Sequence, residues 1–205
     1  MTGHPEVLTI GHSAHGIETF VALLHQHGVT AIADVRSQPF SRYAPQFNKA
    51  DLTASLRQHG IQYVFLGREL GARSNDPDCY VDGRVQYGRL AQSDEFKTGI
   101  TRVMSGAEVE RIALMCTEKD PLDCHRTVLV ARRLADEGAQ VSHIRADGSI
   151  EPHSDAIDRL MSQLGMQPSL LQTMDEQIDE ALAEQEAQIA YVDAELAAAS
   201  HRAVS

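Results

Sequence analysis

The sequence predicts an α/β protein built on a mainly parallel, doubly wound sheet. Three observations lead there. Short β-branched apolar runs alternate with stretches of helical spacing as far as about residue 150, several runs hold almost no polar residue, as strands covered on both faces do, and the helical stretches end at glycines.

Runs at 7–10, 29–33, 61–66, 111–115 and 141–144 read as strands. Between the first two, Ile17, Phe20, Val21 and Leu24 fall three and four apart on one helical face, and the helix stops at His27 and Gly28, where glycine readily turns left-handed. A second helix spans 51–58 before His59 and Gly60. A third spans about 93–104, with Ser93 as its cap and Phe96, Ile100 and Val103 facing inward. A fourth, about 126–137, buries Val128, Leu129, Ala131 and Leu134 before Gly138. The glycine- and arginine-rich stretch 67–90 has no sustained period and is long for a plain connection, so it is either a functional loop or disordered. After Pro168, Ala, Glu, Gln and Leu dominate. Ile178, Leu182, Ile189, Val192 and Leu196 suit an acidic amphipathic helix over 166–205, appended to a domain over 1–165 and either packed on a partner, which allows a homo-oligomer, or left as a frayed surface tail.

At 205 residues, with 42% hydrophobic and 23% charged residues, the chain has ordinary globular composition. No apolar run reaches the roughly 18 to 20 residues of a spanning helix, and the opening residues lack a basic start followed by an apolar stretch, so neither a membrane nor export is expected. Three cysteines leave at least one unpaired, which fits a reducing, cytoplasmic compartment. The net charge of −11 is uneven: residues 1–165 hold 17 Lys and Arg against 21 Asp and Glu, whereas 166–205 hold 1 against 8. The acidity belongs mainly to the tail and says little about the site.

The segment 112–126 reads as a buried strand, a polar proline turn and a helix start. In a parallel sheet ligands bind beyond the carboxyl ends of strands, and Cys116 sits at such an end. With Asp123 as N-cap, Cys124, His125 and Arg126 would share the first turn, where free N–H groups favour an anion or a thiolate. A basic pair there opposes the helix dipole, so a ligand explains it better than folding does. Arg126 can clamp a phosphate or carboxylate, and Cys124 beside His125 can be a nucleophile or redox thiol. The alternative is that both cysteines are small buried hydrophobes. Two further strand ends face this loop. Gly11 lets a ligand approach the backbone, while His12 offers a proton carrier and Ser13 a hydroxyl, unless Ser13 only caps the following helix. Asp34 can orient His12 or Arg126 and Arg36 can bind an anion, unless the two simply pair with each other. The Gly-His-Ser turn lacks the spacing of a Walker or dinucleotide-binding loop, so neither ATP nor NAD is supported and no cofactor is identified.

Taken together, Gly11-His12-Ser13, Asp34-Val35-Arg36 with Pro39 and Ser41, Leu66-Gly67 with Leu70-Gly71, and Cys116 with Glu118 and Cys124-His125-Arg126 resemble the bacterial and archaeal family called domain of unknown function 488 over about residues 7–160. The resemblance implies a Rossmann-like three-layer α/β/α sandwich. It also implies an active site formed by these motifs, with Ser41 and Glu118 joining Gly11, Ser13, Asp34, Arg36 and Arg126 around the substrate. Some relatives carry labels linking them to DNA repair.

The leading expectation is an enzyme, a thiol- or histidine-dependent hydrolase or transferase, acting on an anionic small molecule or nucleotide through Cys116, Cys124, His125 and His12. The second is a nucleic-acid-associated factor using Arg68, Arg73, Arg84, Arg89 and the Arg42-Tyr43 turn, with Tyr43, Tyr80 or Tyr87 free to stack. The third is a zinc protein, since His12, Cys116, Cys124 and His125 are suitable ligands if they converge. Adjacent Cys124 and His125 would, however, diverge in a helix.

Overall fold

The structure, a computed structural model, describes residues 4–167 and 171–203. The first three residues, read above for a leader, and Pro168, where the composition shifts, lie outside them. Along the chain come β1 (Glu6–Gly11), α1 (Ile17–Gln26), β2 (Ala31–Asp34), α2 (Lys49–Gln58), β3 (Gln62–Phe65), β4 (Tyr80–Val81), β5 (Arg84–Val85), α3 (Tyr87–Leu90) and α4 (Asp94–Ala107). Then follow β6 (Ile112–Cys116), α5 (Arg132–Asp136), β7 (Gln140–Ile144), β8 (Ile150–Pro152), α6 (His153–Gln163), α7 (Met174–Ile189) and α8 (Ala194–Ala203).

Six strands form one sheet in the order β3-β2-β6-β1-β7-β8. All neighbours run parallel except β8, which turns back antiparallel on β7. The five expected strands are the five parallel ones. The apolar runs carry no alternation because both faces are covered. Along β6, Ile112, Leu114 and Cys116 pack with residues of α4, α5, α6 and α7, while Ala113 and Met115 pack on the other face with Phe20, Leu24, Leu52 and Leu56 of α1 and α2. The helices end where glycine permits: Gly28 and Gly60 have φ of 63° and 72°. Ser93 caps α4 by accepting the Phe96 N–H at 3.2 Å.

The segment 67–90 is ordered: its turn, Asp82-Gly83 at φ 48° and 76°, joins the hairpin β4–β5, and Leu70, Cys79, Val85, Tyr87 and Leu90 are buried. The C-terminal segment departs further from expectation, because α7 is built into the core. Ala181 is fully buried and Leu182 nearly so in the cluster that holds Leu114 and Leu134. Gln185 Nε2 donates to the Leu122 carbonyl at 2.9 Å, and Glu186 accepts the Tyr87 N–H at 2.7 Å. The chain then bridges Val192 to Arg84 and carries Tyr191, whose carbonyl accepts the Val85 N–H at 3.0 Å. Asp175, Glu176, Asp179, Glu180 and Glu184 face outward while Ala181 and Leu182 face inward, so helical spacing gave the period of α7 but not what it packs on. Among the described residues no helix is long and apolar enough to cross a membrane.

Leu182→Asp should lower the unfolding free energy by about 3 kcal/mol, because it buries a carboxylate without a partner. The exposed Glu184→Ala should change it by no more than about 0.5 kcal/mol in urea titrations. Equal, small effects would mean that α7 contributes nothing to the core.

Candidate functional site

Three strand ends meet at one rim because β6 lies between β1 and β2, with Gly11 level with Cys116 and Asp34 level with Met115. The pairing continues past the strands: His12 N–H donates to Cys116 O at 2.9 Å, Ser13 N–H to Thr117 O at 2.9 Å, and Val35 N–H to Met115 O at 3.1 Å. Gly11 is required by this crossing, since a Cβ there would sit 1.8 Å from the Glu118 carbonyl oxygen.

The loop after β6 differs from the expected helix start. Asp120, not Asp123, caps a short 3-10 turn over Pro121–Asp123 by accepting the Leu122 N–H at 3.0 Å. Cys124 is extended, at φ −140° and ψ 138°. The following turn, Arg126–Ala131, is π-helical before α5 begins. Cys124 itself behaves as an N-cap. Its carbonyl accepts from Thr127 and Val128 N–H at 3.0 and 3.2 Å, and its Sγ accepts from Arg126 N–H at 3.4 Å. This break lets the neighbouring side chains converge where a continuous helix would separate them. His125 Nδ1 lies 3.8 Å from Cys124 Sγ and 3.9 Å from Cys116 Sγ.

His125 Nε2 lies 3.1 Å from the Val35 carbonyl oxygen. A carbonyl only accepts, so Nε2 carries a proton and Nδ1 presents either a lone pair or a second proton to the two sulfurs. Burial opposes charge on Cys124, but the hydrogen bond from Cys116 and the positive Arg126 and His125 outweigh it and hold the thiol well below its ordinary range. Cys116 goes the other way: its hydrogen bond to Cys124 and its burial keep it a thiol. For His125, burial disfavours the cation, yet the Cys124 thiolate, Glu118 and the Val35 carbonyl raise its pKa. Burial and the nearby Cys124 raise Glu118. These directions favour a thiolate on Cys124 facing an imidazolium, with Cys116 kept as the thiol beside it.

A cleft of about 400 Å³ opens onto this group and is lined by Cys116, Cys124, His125, Glu118, Arg36 and Ser41. Tyr87, Arg73 and Tyr191 complete its walls. The other expected residues lie elsewhere. Asp34 takes Arg36 in a two-point pair, with Nε to Oδ1 at 2.9 Å and an Nη to Oδ2 at 2.7 Å, and also accepts from Tyr63 at 2.8 Å. Arg36 donates further to the Phe47 carbonyl at 2.8 Å. His12 lies behind Arg36, stacked on Phe47 at 4.2 Å, with Nε2 3.4 Å from the guanidinium and Nδ1 3.0 Å from Ser13 O. Burial and Arg36 lower its pKa to about 4, which makes it a neutral prop at neutral pH. Ser13, at φ 49°, faces a separate depression beside Lys119 and Arg145. Arg126 is 0% exposed, with one Nη on the Glu118 carbonyl at 2.9 Å, so it is neither a surface residue nor part of the cleft wall.

Sequence reasoning missed Tyr191 as a wall and offered Tyr87 as one of three rings available to stack, although it is 4% exposed. Arg84 and Arg89 are engaged by the Ala187 and Asp78 carbonyls, whereas Tyr43 stands fully exposed. No local signal marks Tyr191: it follows a helix whose period stops at the extended Ala190.

Against known proteins, a family model described as domain of unknown function DUF488 matches residues 16–133, more than half of the chain, and the chain belongs to that family. The match includes Arg36, Cys116 and Cys124 and leaves Gly11-His12-Ser13 and the C-terminal segment outside. No curated protein and no solved structure matches it.

Asp34→Asn should cost about 3 kcal/mol because it strands a buried guanidinium, while Glu6→Gln, at the exposed pair with Arg111, should cost under about 1 kcal/mol in denaturant titrations. Burial also lowers His153 to about 4 and His143 to about 2, so with His12 the fold holds three neutral imidazoles that the unfolded chain protonates near 6.5. Stability should therefore fall as pH drops below about 6.5 towards 4. By NMR these three rings should not titrate between pH 7.5 and 5.5, and a midpoint near 6.5 at His143 would contradict the assignment.

Proposed function

We propose that this DUF488 protein is a thiol-dependent hydrolase or transferase that acts on an anionic, phosphate- or nucleotide-like small molecule. The observation that carries the reading is His125 Nδ1 at 3.8 Å from a Cys124 Sγ that also accepts a backbone N–H at the helix start. A nucleophile next to its base, with the base oriented by a third group, is the usual arrangement for covalent catalysis by cysteine, and here the Val35 carbonyl is the orienting group.

The Cys124 thiolate attacks an electrophilic carbon or phosphorus. A new bond to sulfur forms as the bond to the leaving group breaks, and His125 Nδ1 gives its proton to the departing atom. His125, now neutral, takes a proton from water or an acceptor as that molecule displaces Cys124 and regenerates the thiolate. Cys116 donates its S–H to the thiolate, and Glu118, whose pKa burial raises, lines the cleft wall beside them. Helices on both faces of a largely parallel sheet, with the site beyond its carboxyl ends, support the Rossmann-like reading of the fold. Three free cysteines support a reducing, cytoplasmic setting.

A second reading rests on the same convergence. Cys116, Cys124 and His125 bring their donor atoms within 4.8 Å of one another. The donors are those of a zinc site, and a metal-ligating histidine commonly donates its other N–H to a backbone carbonyl, as His125 does. Such an ion would be held by these three side chains and would supply a Lewis acid at the cleft floor.

Iodoacetamide separates the two. In metal-free protein Cys124 should be alkylated at pH 6 about tenfold faster than Cys79, and His125→Ala should move its pH profile upward. A Cys124 profile rising only through the ordinary thiol range would sink the thiolate reading. One zinc per chain after purification, lost in Cys116→Ser, would favour the metal.

A further inference from the structure

We propose that the cleft has two ends and that Arg73, held over the Tyr191 ring, is the anion receptor for the substrate of the thiol reaction; this rests on the reading of Cys124 as the nucleophile. Of the two arginines first expected to bind an anion, Arg36 is committed elsewhere and Arg126 is shut away from the cleft. Arg36 spends its Nε and one Nη on Asp34 and Phe47 and turns the other Nη to His12. Arg126 is 0% exposed behind the Glu118 carbonyl. Arg73 differs, because among the described residues its guanidinium has no carboxylate or carbonyl partner.

Its carbon sits 4.2 Å from the Tyr191 ring centroid. The ring contact restrains the guanidinium, and no protein acceptor among the described residues occupies its N–H groups, so hydrogen bonds to an oxyanion cost little further ordering. The base of the side chain is fixed as well, since Arg73 N–H donates to Ser37 Oγ at 3.1 Å.

The position is also informative. Ser37, Gln38 and Arg73 line both the cleft over Cys124 and an adjoining cavity of about 200 Å³ that contains Arg68, Ser74 and Asn75. Of the carboxylates there, Glu69 is engaged by Arg102, and Glu95 lies on the wall. Glu118 and Asp123 lie at the thiol end. An oxyanion is therefore drawn to the Arg73 end and away from the acids beside the thiol. The substrate class that fits carries a phosphate or carboxylate at one end and its electrophilic atom a short distance away, over Cys124. At about 400 and 200 Å³ the two spaces suit a molecule of nucleotide size or smaller.

Paired alkylation of Cys124 tests this. In each reaction the thiolate displaces iodide, so a C–S bond forms as the C–I bond breaks, but iodoacetate carries the anion and iodoacetamide does not. Arg73→Gln should lower the iodoacetate rate about fivefold and leave the iodoacetamide rate within about twofold, the size expected for losing one partly screened charge in the same cleft. Tyr191→Leu should lower the ratio of the two rates, and Tyr191→Phe, which keeps the ring, should preserve it. An unchanged ratio in Arg73→Gln, or both rates falling together, would overturn the assignment while leaving Cys124 as a nucleophile. No alkylation of Cys124 by either reagent would overturn the underlying reading instead.

Discussion

Buried positive charge at one end of the sheet has to be neutralised in place, and the rest of the site follows from how this is done. Arg36 and Arg126 are 5% and 0% exposed and His125 is 8% exposed. Asp34 answers Arg36 with both oxygens. Arg126 has no such partner, and two of its nitrogens are buried without a hydrogen bond. The group that balances it is Cys124, whose ionised form is favoured by Arg126 and His125 together against the burial that opposes it. An apolar environment that would ordinarily raise a thiol's pKa is here outweighed, and the shift of Cys124 runs towards the anion that would balance Arg126.

That balance depends on a local break in the backbone. If Cys124 were helical, its Sγ and the His125 ring would point apart. The extended conformation at Cys124 and the π-helical turn after it turn the sulfur towards the helix start and the imidazole towards Val35 and the two sulfurs. Irregular helix starts of this kind recur at functional sites, and this one gives a physical reason: it is the way to place two consecutive residues on the same target.

The sheet was legible in the sequence because its strands are short apolar runs with both faces covered, and the stops at Gly28 and Gly60 marked two helix ends. The three motifs could be brought to one rim because parallel strand ends point the same way. The Asp34–Arg36 pair was visible only as one of two options, since a residue two positions away on a strand end is within reach of either a neighbour or a ligand. Asp123 was read as the helix cap, but Pro121 starts a separate turn capped by Asp120, which leaves Cys124 to cap the helix. The role of Arg126 was misread because a basic residue in a first turn gives no sign of depth. The part played by α7 was out of reach, because an Ala- and Leu-bearing stripe fits a partner protein, a membrane surface or the chain's own core equally well.

The wall formed by Ile189 and Tyr191 comes from the far end of the chain, more than sixty residues after the thiol it shelters. During synthesis the sheet and the Cys124 loop therefore leave the ribosome before the segment that encloses them. For that interval the Cys124 sulfur has one side open to the surroundings. Whatever shields ordinary nascent chains from oxidants must also cover this one until α7 docks and Tyr191 reaches Arg73.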